Sequence, residues 1–298
     1  MTEPASVAER LPDVASLARA LDDAGYLADE GLATALFCAV RLPQPLLLEG
    51  EAGVGKTEAA KALATVLDTR FVRLQCYEGI DASEALYEWN YARQLLAIRL
   101  AETRGEHLGD VDLFTHDFLV ERPLLAALQH PGPRPAVLLV DEVDRADDEF
   151  EAFLFELLAE HAVTIPELGT QTATHPPVVI LTSNRTRDLH DALKRRCLYH
   201  WIDYPAVGRA TEIIRRRVPE ASEPLTAQVA AAVARLRTLD VQKPPGIAEA
   251  IGWVAALRVL GIPALDGETA GLTIGSVLKY RDDADVAAER SFDWVATG

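Results

Sequence analysis

The chain has 298 residues, 49% of them hydrophobic, which is enough for one large α/β domain and a smaller second unit. Acidic residues outnumber basic ones by 46 to 29, and the resulting net charge of −17 disfavours general nucleic-acid binding and binding to anionic lipid. The N-terminus lacks a signal-peptide pattern and no apolar run could span a bilayer, so we expect a cytoplasmic protein without membrane insertion.

Two helices are predicted between a polar N-terminal arm, residues 1 to about 12, and the first strand. The turn that joins them contains Tyr26 and Leu27. In a nucleotide-binding domain the backbone of such a turn could contact the adenine base. It could equally be an ordinary connection between helices, and the sequence leaves both interpretations open.

A glycine-rich loop comes next, after a short apolar strand and before apolar residues at helical spacing. Strand, loop and helix form the context that a G-x-x-x-x-G-K-[ST] phosphate loop requires. Its glycines let backbone N–H groups turn toward a triphosphate at the positive end of the helix. We expect Lys56 to reach the β- and γ-phosphates and the Thr57 hydroxyl to bind Mg²⁺. The candidate ATP-binding residues here are Gly50, Glu51, Ala52, Gly53, Val54, Gly55, Lys56, Thr57 and Glu58.

An aromatic segment, near residues 76–91, follows the second predicted strand. Tyr77, Tyr87, Trp89 and Tyr91 lie in it among several acidic residues. These side chains could form a surface that grips a partner. They could also anchor the core of an inserted hairpin, since most aromatic side chains are buried.

The clearest buried strand, residues 136–140, runs directly into Asp141 and Glu142. A parallel strand delivers its C-terminal residues to the same sheet edge as the phosphate loop. Asp141 can therefore support hydrated Mg²⁺, and Glu142 can polarise the attacking water.

A hairpin is predicted near residues 162–176, followed by a strand that ends at Asn184. A polar side chain at this strand end is well placed to orient the lytic water, although an asparagine can also simply satisfy the next turn. Arg195 and Arg196 then precede a fifth strand. If that strand lies at the sheet edge, they could reach the γ-phosphate of a neighbouring subunit, or they could be surface charges.

Three regions are predicted in all: an αβα nucleotide-binding core over residues 1–204, a helical region over 205–282 and an acidic tail over 283–298. Pro205 marks the change, because the periodicity after it is helical, without strands.

The ordered motifs resemble those of an AAA+ ATPase of the P-loop class. They are Gly50 to Thr57, 137–142, 182–184, Arg195 with Arg196, and the C-terminal helical region. The inserted aromatic segment and the hairpin resemble the MoxR branch. Further stretches are similar to the MoxR-type proteins associated with aerobic carbon-monoxide dehydrogenase and related molybdenum hydroxylases; these are residues 74–79, 86–91, 141–146 and 193–201.

This resemblance implies an α/β fold with a five-stranded parallel sheet in the order 5-1-4-3-2 and a small all-α lid. It also implies a homo-oligomeric ring, typically a hexamer, a partner with a von Willebrand factor A domain and a metalloenzyme client. Arg196 becomes the leading arginine-finger candidate, with Arg195 second. One departure is Pro245, which occupies the slot where the family often has a lid sensor arginine, with Lys243 nearby.

The favoured hypothesis is a ring-forming, Mg²⁺-dependent ATPase that assists maturation of a molybdenum hydroxylase. ATP is preferred to GTP because the chain has no Asn-Lys-x-Asp guanine motif. The alternatives are a nucleic-acid remodelling motor of the same fold and a nucleotide-gated binding module.

Overall fold

The computed structural model describes residues 10–289; the start of the predicted N-terminal arm and residues 290–298 of the predicted tail lie outside the described residues. The chain forms two compact units. Within the described part, the first comprises residues 10–24, 28–49 and 57–200, and the second comprises residues 25–27, 50–56 and 201–289. The glycine-rich loop, residues 50–56, falls in the second unit, whereas the sequence prediction includes it in the core of residues 1–204.

The first unit contains a five-stranded sheet and two short antiparallel sheets. The strands are β1 (Leu46–Glu49), β2 (Phe71–Gln75), β3 (Tyr87–Trp89), β4 (Leu119–Glu121), β5 (Val137–Asp141), β6 (Ala162–Ile165), β7 (Gly169–Thr172), β8 (Val178–Ser183) and β9 (Leu198–Trp201). The order of the main sheet is β2-β5-β8-β1-β9, which confirms the predicted order. Strands β1, β5 and β8 are buried along their whole length, as parallel strands covered on both faces are.

Helices also belong to the first unit. They are α1 (Val14–Asp23), α2 (Glu30–Arg41), α3 (Lys56–Leu67), α4 (Ala82–Leu86), α5 (Tyr91–Arg104), α6 (Asp110–Leu113), α7 (Pro123–Leu128), α8 (Asp148–Glu160) and α9 (Asp191–Lys194), with 3₁₀ turns at His116–Phe118 and Val143–Arg145. An apolar core joins one sheet face to α7 and α8 and includes Leu138, Leu125 and Leu154. The parallel register aligns the carboxyl ends of the strands, with Gln75 opposite Asp141 and Glu49 opposite Ser183.

The inserted segment is longer than the predicted 76–91, because β3 pairs with β4, which begins at Leu119. Of its aromatic residues, some are buried, as anchors of the core would be, and others are exposed, as a partner-binding surface requires. Trp89 is buried and packs edge-on against Phe114 at 5.0 Å between ring centroids. Tyr77 and Tyr91 remain 44% and 66% exposed. The second short sheet pairs β6 with β7 within the segment for which a hairpin is predicted.

The second unit is helical beyond residue 206. Its helices are α10 (Val207–Arg217), α11 (Glu223–Leu236), α12 (Ile247–Val259), α13 (Gly267–Thr273) and α14 (Arg281–Glu289), with a 3₁₀ turn at Ile274–Ser276. Trp253 is fully buried in its core and donates its indole N–H to Thr273 at 2.8 Å. Within residues 10–289, none of the helices combines the length and apolar composition that crossing a membrane requires.

Residues 283–289 are helical, where the sequence predicts an acidic tail. The physical reason is that α14 packs into the helical core through Ala287 and through Asp283, which is 1% exposed. The Asp283 carboxylate accepts hydrogen bonds from the backbone N–H groups of Gln242 at 2.7 Å and Lys243 at 3.2 Å. The helical region therefore extends at least to Glu289.

Candidate functional site

The carboxyl end of β5 places Asp141 in contact with two hydroxyl groups. The Thr57 hydroxyl, in the first turn of α3, lies 3.2 Å from both carboxylate oxygens. The Thr182 hydroxyl, near the end of the adjacent strand β8, donates to Oδ1 at 2.5 Å. Asp141 is only 4% exposed, so these contacts replace water around its charge. The structure thus brings together both residues predicted to bind metal.

These oxygen atoms fit Mg²⁺. Magnesium binds hard oxygen ligands and commonly takes one or two carboxylates, completing its octahedral shell with water and phosphate oxygens. Thr57 and Asp141 would hold the ion, with Asp141 acting directly or through a bound water. The fit rests on a buried carboxylate and a hydroxyl that face each other at hydrogen-bonding distance.

Glu142 adopts a left-handed backbone conformation, with φ of 55° and ψ of 49°. Its N–H donates to the Thr182 hydroxyl at 2.9 Å, so one side chain fixes both acidic residues of the pair. Its carboxylate accepts a hydrogen bond from Gln75 at 3.1 Å and pairs with Arg145 at the same distance. The side chain is 33% exposed and can be approached by water.

Three contacting residues, Arg73, Gln75 and Thr182, were not assigned a role from the sequence. Arg73 pairs with Asp141, with Nη2 2.6 Å from Oδ2. Gln75 lies two residues further along β2, on the same face and directly opposite Asp141 in the register. Their roles could have been predicted from the polar side chains at the carboxyl ends of β2 and β8, which is the pattern from which a role for Asn184 was predicted.

Asn184 follows β8 in a turn that Asp144 fixes. Asp144 is 2% exposed and accepts hydrogen bonds from the N–H of Asn184 at 3.3 Å and that of Thr186 at 2.8 Å. The hydroxyl of Thr186 also donates to it at 2.7 Å. The backbone of Asn184 is therefore held in place, and its side chain is half-buried. Assignment of this side chain to water alignment stays a prediction.

The phosphate loop, residues 50–56, has the backbone that its glycines allow. Gly53 and Gly55 have φ of +77° and +100°, values that L side chains rarely adopt. At Gly50 a Cβ atom would lie 2.4 Å from the carbonyl oxygen of Ile202. The Lys56 ammonium is buried and donates to the carbonyls of Gly50 at 2.6 Å and Glu51 at 2.8 Å. A compact loop of this kind with an enclosed ammonium fits a phosphate group. Of its other members, Ala52 is exposed and Val54 is buried.

The N-terminus of α12 contacts the phosphate loop directly. The N–H of Ile247 donates to the carbonyl of Gly53 at 3.1 Å. Glu249 accepts from the N–H of Gly246 at 3.0 Å, and a Cβ on Gly53 would lie 2.8 Å from its carboxylate. The carbonyl of Pro245, the residue predicted to occupy the slot of a lid sensor arginine, accepts a hydrogen bond from Arg237 at 2.7 Å.

Lys243, the alternative sensor candidate, lies over the Tyr280 ring at 5.3 Å from its centroid. Two further candidates lie in the second unit. The Tyr26 hydroxyl donates to the Gly55 carbonyl at 3.4 Å, and the Leu27 carbonyl accepts a hydrogen bond from Arg209. Their contact with adenine stays a prediction. Glu58, in the first unit, pairs with Lys61 at 2.8 Å on the surface of α3.

The two candidate arginine fingers are both exposed. The guanidinium of Arg196 stacks over the Phe155 ring at 4.2 Å from its centroid. Arg195 directly follows α9, and its backbone N–H donates to the Asp191 carbonyl at 3.0 Å. Stacking on an aromatic ring restricts the conformations of a long side chain. Arg196 is therefore the better ordered of the pair.

Comparisons with known proteins give a family match and several similar solved structures. The family model for the AAA domain of the dynein-related subfamily matches residues 45–197, just over half of the chain. A point variant of Thermotoga maritima RuvB is 19% identical, with a TM-score of 0.47; the match covers 82% of this chain and 66% of RuvB, so the chain spans about two thirds of that length. Domain III of the T. maritima replication initiation protein DnaA is 15% identical, with a TM-score of 0.48, and the match covers 86% of this chain and 96% of that domain.

Proposed function

The chain belongs to the dynein-related subfamily of the AAA domain family, and from this premise we propose that it is a Mg²⁺-dependent ATPase that acts as a ring-forming maturation chaperone. The observation that carries the ATPase proposal is the buried Asp141 carboxylate, which contacts the Thr57 hydroxyl while its neighbour Glu142 is held by Gln75. A metal-binding carboxylate followed by a partly exposed one is the arrangement that hydrolysis of a phosphoanhydride needs.

Each residue has a distinct task in this proposal. Lys56 and the loop N–H groups bind the phosphates, and Thr57 with Asp141 holds Mg²⁺. The ion would neutralise negative charge that develops on the phosphate oxygens. Glu142 accepts a hydrogen bond from the attacking water and polarises it, and Asn184 aligns that water.

Turnover in this proposal requires a second copy of the chain. Arg196 would stabilise the transferred phosphoryl group from the neighbouring subunit, with Arg195 as the second candidate. We propose a homo-oligomeric ring, on the resemblance to MoxR-type proteins a hexamer.

The proposed client is a protein, a molybdenum hydroxylase such as carbon-monoxide dehydrogenase, reached in the cytoplasm with a partner that has a von Willebrand factor A domain. The net charge of −17 supports a protein client over nucleic acid. Helix α5 also exposes apolar side chains that are 66%, 59%, 60% and 49% accessible, and exposed apolar side chains are common where a protein binds a partner. These residues are Tyr91, Leu95, Leu96 and Leu100.

Trapping the client tests the proposal. Glu142→Gln should bind ATP without hydrolysing it and should retain its client, whereas Lys56→Ala, which lacks the phosphate-binding ammonium, should retain none. Mass spectrometry of material bound only to Glu142→Gln should identify a metalloenzyme subunit. Recovery of nucleic acid alone would support a remodelling motor instead. Full client maturation by Glu142→Gln would support a nucleotide-gated binding module.

A further inference from the structure

A cation from the chain itself already contacts the carboxylate proposed to support Mg²⁺. The Nε and Nη2 atoms of Arg73 lie 2.9 and 2.6 Å from Oδ2 of Asp141. The arginine side chain is 45% exposed and the aspartate side chain 5%. The pair is therefore open to solvent on the arginine side only, and a second cation approaching Asp141 would meet both the repulsion of the guanidinium and a shared oxygen atom.

The same guanidinium group also contacts Gln75, donating from Nη2 to Oε1. With its oxygen accepting this hydrogen bond, the Gln75 amide directs its NH₂ group to Oε2 of Glu142 at 3.1 Å. Arg73 and Gln75 share one face of β2, because they are two residues apart in a strand. Gln75 thus holds the Arg73 guanidinium beside Asp141.

We propose that Arg73 competes with Mg²⁺ for the Asp141 carboxylate, so that the guanidinium must withdraw before the metal binds. The inference rests on the proposed ATPase function. Arg73 cannot keep both hydrogen bonds to Oδ2 while that carboxylate turns to a metal.

The test is a Mg²⁺ titration of the binding of a fluorescent ADP analogue, which reads metal affinity without turnover. Arg73→Ala and Arg73→Gln both remove the charge and should lower the half-saturating Mg²⁺ concentration by about tenfold, the effect of removing a like charge near the metal ligand. Arg73→Lys keeps the charge and should stay within about threefold of wild type. Urea unfolding in EDTA verifies that each variant is folded.

Two controls separate this effect from general changes in charge. Arg99→Ala removes an arginine from an exposed pair with Glu102 and should leave the Mg²⁺ dependence unchanged. Gln75→Ala removes an uncharged neighbour of Arg73 and should change the Mg²⁺ half-saturation by less than about threefold.

The possible failures are distinguishable. If wild-type protein binds nucleotide with Mg²⁺ while both neutral variants show an unchanged or higher half-saturation, the role of Arg73 is refuted and the ATPase proposal stands. If wild-type protein binds no nucleotide at any Mg²⁺ concentration, the proposed function fails and this inference fails with it.

Discussion

The hydroxyl of Thr182 donates a 2.5 Å hydrogen bond to Oδ1 of Asp141. The same hydroxyl accepts one from the N–H of Glu142 at 2.9 Å, and Thr182 is 1% exposed. Because β8 lies beside β5, a residue about forty positions along the chain fixes both acidic residues of the candidate site. Without it, the buried Asp141 carboxylate and the partly buried N–H of Glu142 would each lose a hydrogen-bond partner.

Replacement of Thr182 tests this connection. Thr182→Val preserves shape but removes the hydroxyl, so we expect the free energy of unfolding to fall by about 1–3 kcal/mol, the cost of leaving buried polar groups unsatisfied. Thr182→Ser keeps the hydroxyl and should lose only about 0.8 kcal/mol for the missing methyl group. Urea unfolding at neutral pH measures both values. Equal losses in the two variants would contradict a role for the hydroxyl.

Gly246 lies close to the phosphate loop, so its replacement by alanine should destabilise the protein, whereas the same replacement at Gly252 should stabilise it. A Cβ on Gly246 would lie 2.8 Å from the Ala52 oxygen and from two backbone atoms of Gly53. Gly246→Ala should therefore destabilise the protein by about 1–3 kcal/mol through overpacking.

Gly252, inside the same helix α12, is the matched control. A Cβ there would meet nothing within 4 Å. Gly252→Ala should stabilise the protein by about 0.5–1 kcal/mol, because alanine loses less backbone entropy in a helix. Thermal unfolding of both variants measures the difference. A stabilising Gly246→Ala would show that the loop and α12 do not meet as described.

Asp283 should be far more important for stability than Asp285 in the same helix. Asp283→Ala removes the acceptor of two backbone N–H groups ahead of α12, and we expect a loss of about 2–3 kcal/mol. Asp285 is 66% exposed and lies 3.8 Å from Arg281, so its replacement by alanine should change stability by less than about 0.5 kcal/mol. Chemical denaturation compares the two, and similar values would argue against the capping role.

The sequence predicted the main sheet and several contacts at the site because these follow from local patterns. An apolar run ending in Asp141 and Glu142 and a loop ending in Thr57 needed only the rule that parallel strands share a carboxyl edge. The roles of Arg73 and Thr182 were not predicted, because they depend on which strands are neighbours in the sheet. The burial of Asp283 was not predicted, because acidic composition indicates exposure. Its burial depends on two N–H groups some forty residues away in the sequence.

Two thiols give stability a defined pH dependence. Burial, with nearby carboxylates including Asp141, raises the pKa of Cys76 to about 12, and burial alone raises the pKa of Cys197 to about 12. The folded state therefore retains protons that the unfolded chain loses near pH 9, the ordinary thiol value. The stabilisation is complete below pH 9 and is lost as pH rises toward 12.

The contribution of Cys76 can be measured from the slope of the free energy of unfolding against pH. Within this window each such thiol should lower the free energy of unfolding by about 1.4 kcal/mol per pH unit. Urea unfolding between pH 8 and about 10.5 should give a shallower decline for Cys76→Ala than for wild type. Parallel curves would mean that the Cys76 thiol ionises equally in both states.

The last prediction concerns Arg196, which stacks on Phe155 and is exposed. If it completes the site of a neighbouring copy, Arg196→Ala should lower kcat by about 10³–10⁵-fold and leave nucleotide affinity nearly unchanged. Arg195→Ala should have a much smaller effect, since among residues 10–289 no aromatic ring supports that side chain as Phe155 supports Arg196. Steady-state ATPase assays and binding of a fluorescent nucleotide measure the two quantities separately.

Mixing two inactive variants then distinguishes a contribution in trans from one in cis. Arg196→Ala retains an intact phosphate loop, and Lys56→Ala retains an intact arginine. An assembly that contains both can form a complete site wherever the arginine of a Lys56→Ala copy faces the loop of an Arg196→Ala copy. Activity of the mixture should therefore exceed the sum of the two alone and should fall on dilution. If the mixture shows only that sum although the copies co-assemble, Arg196 acts within its own subunit or not at all.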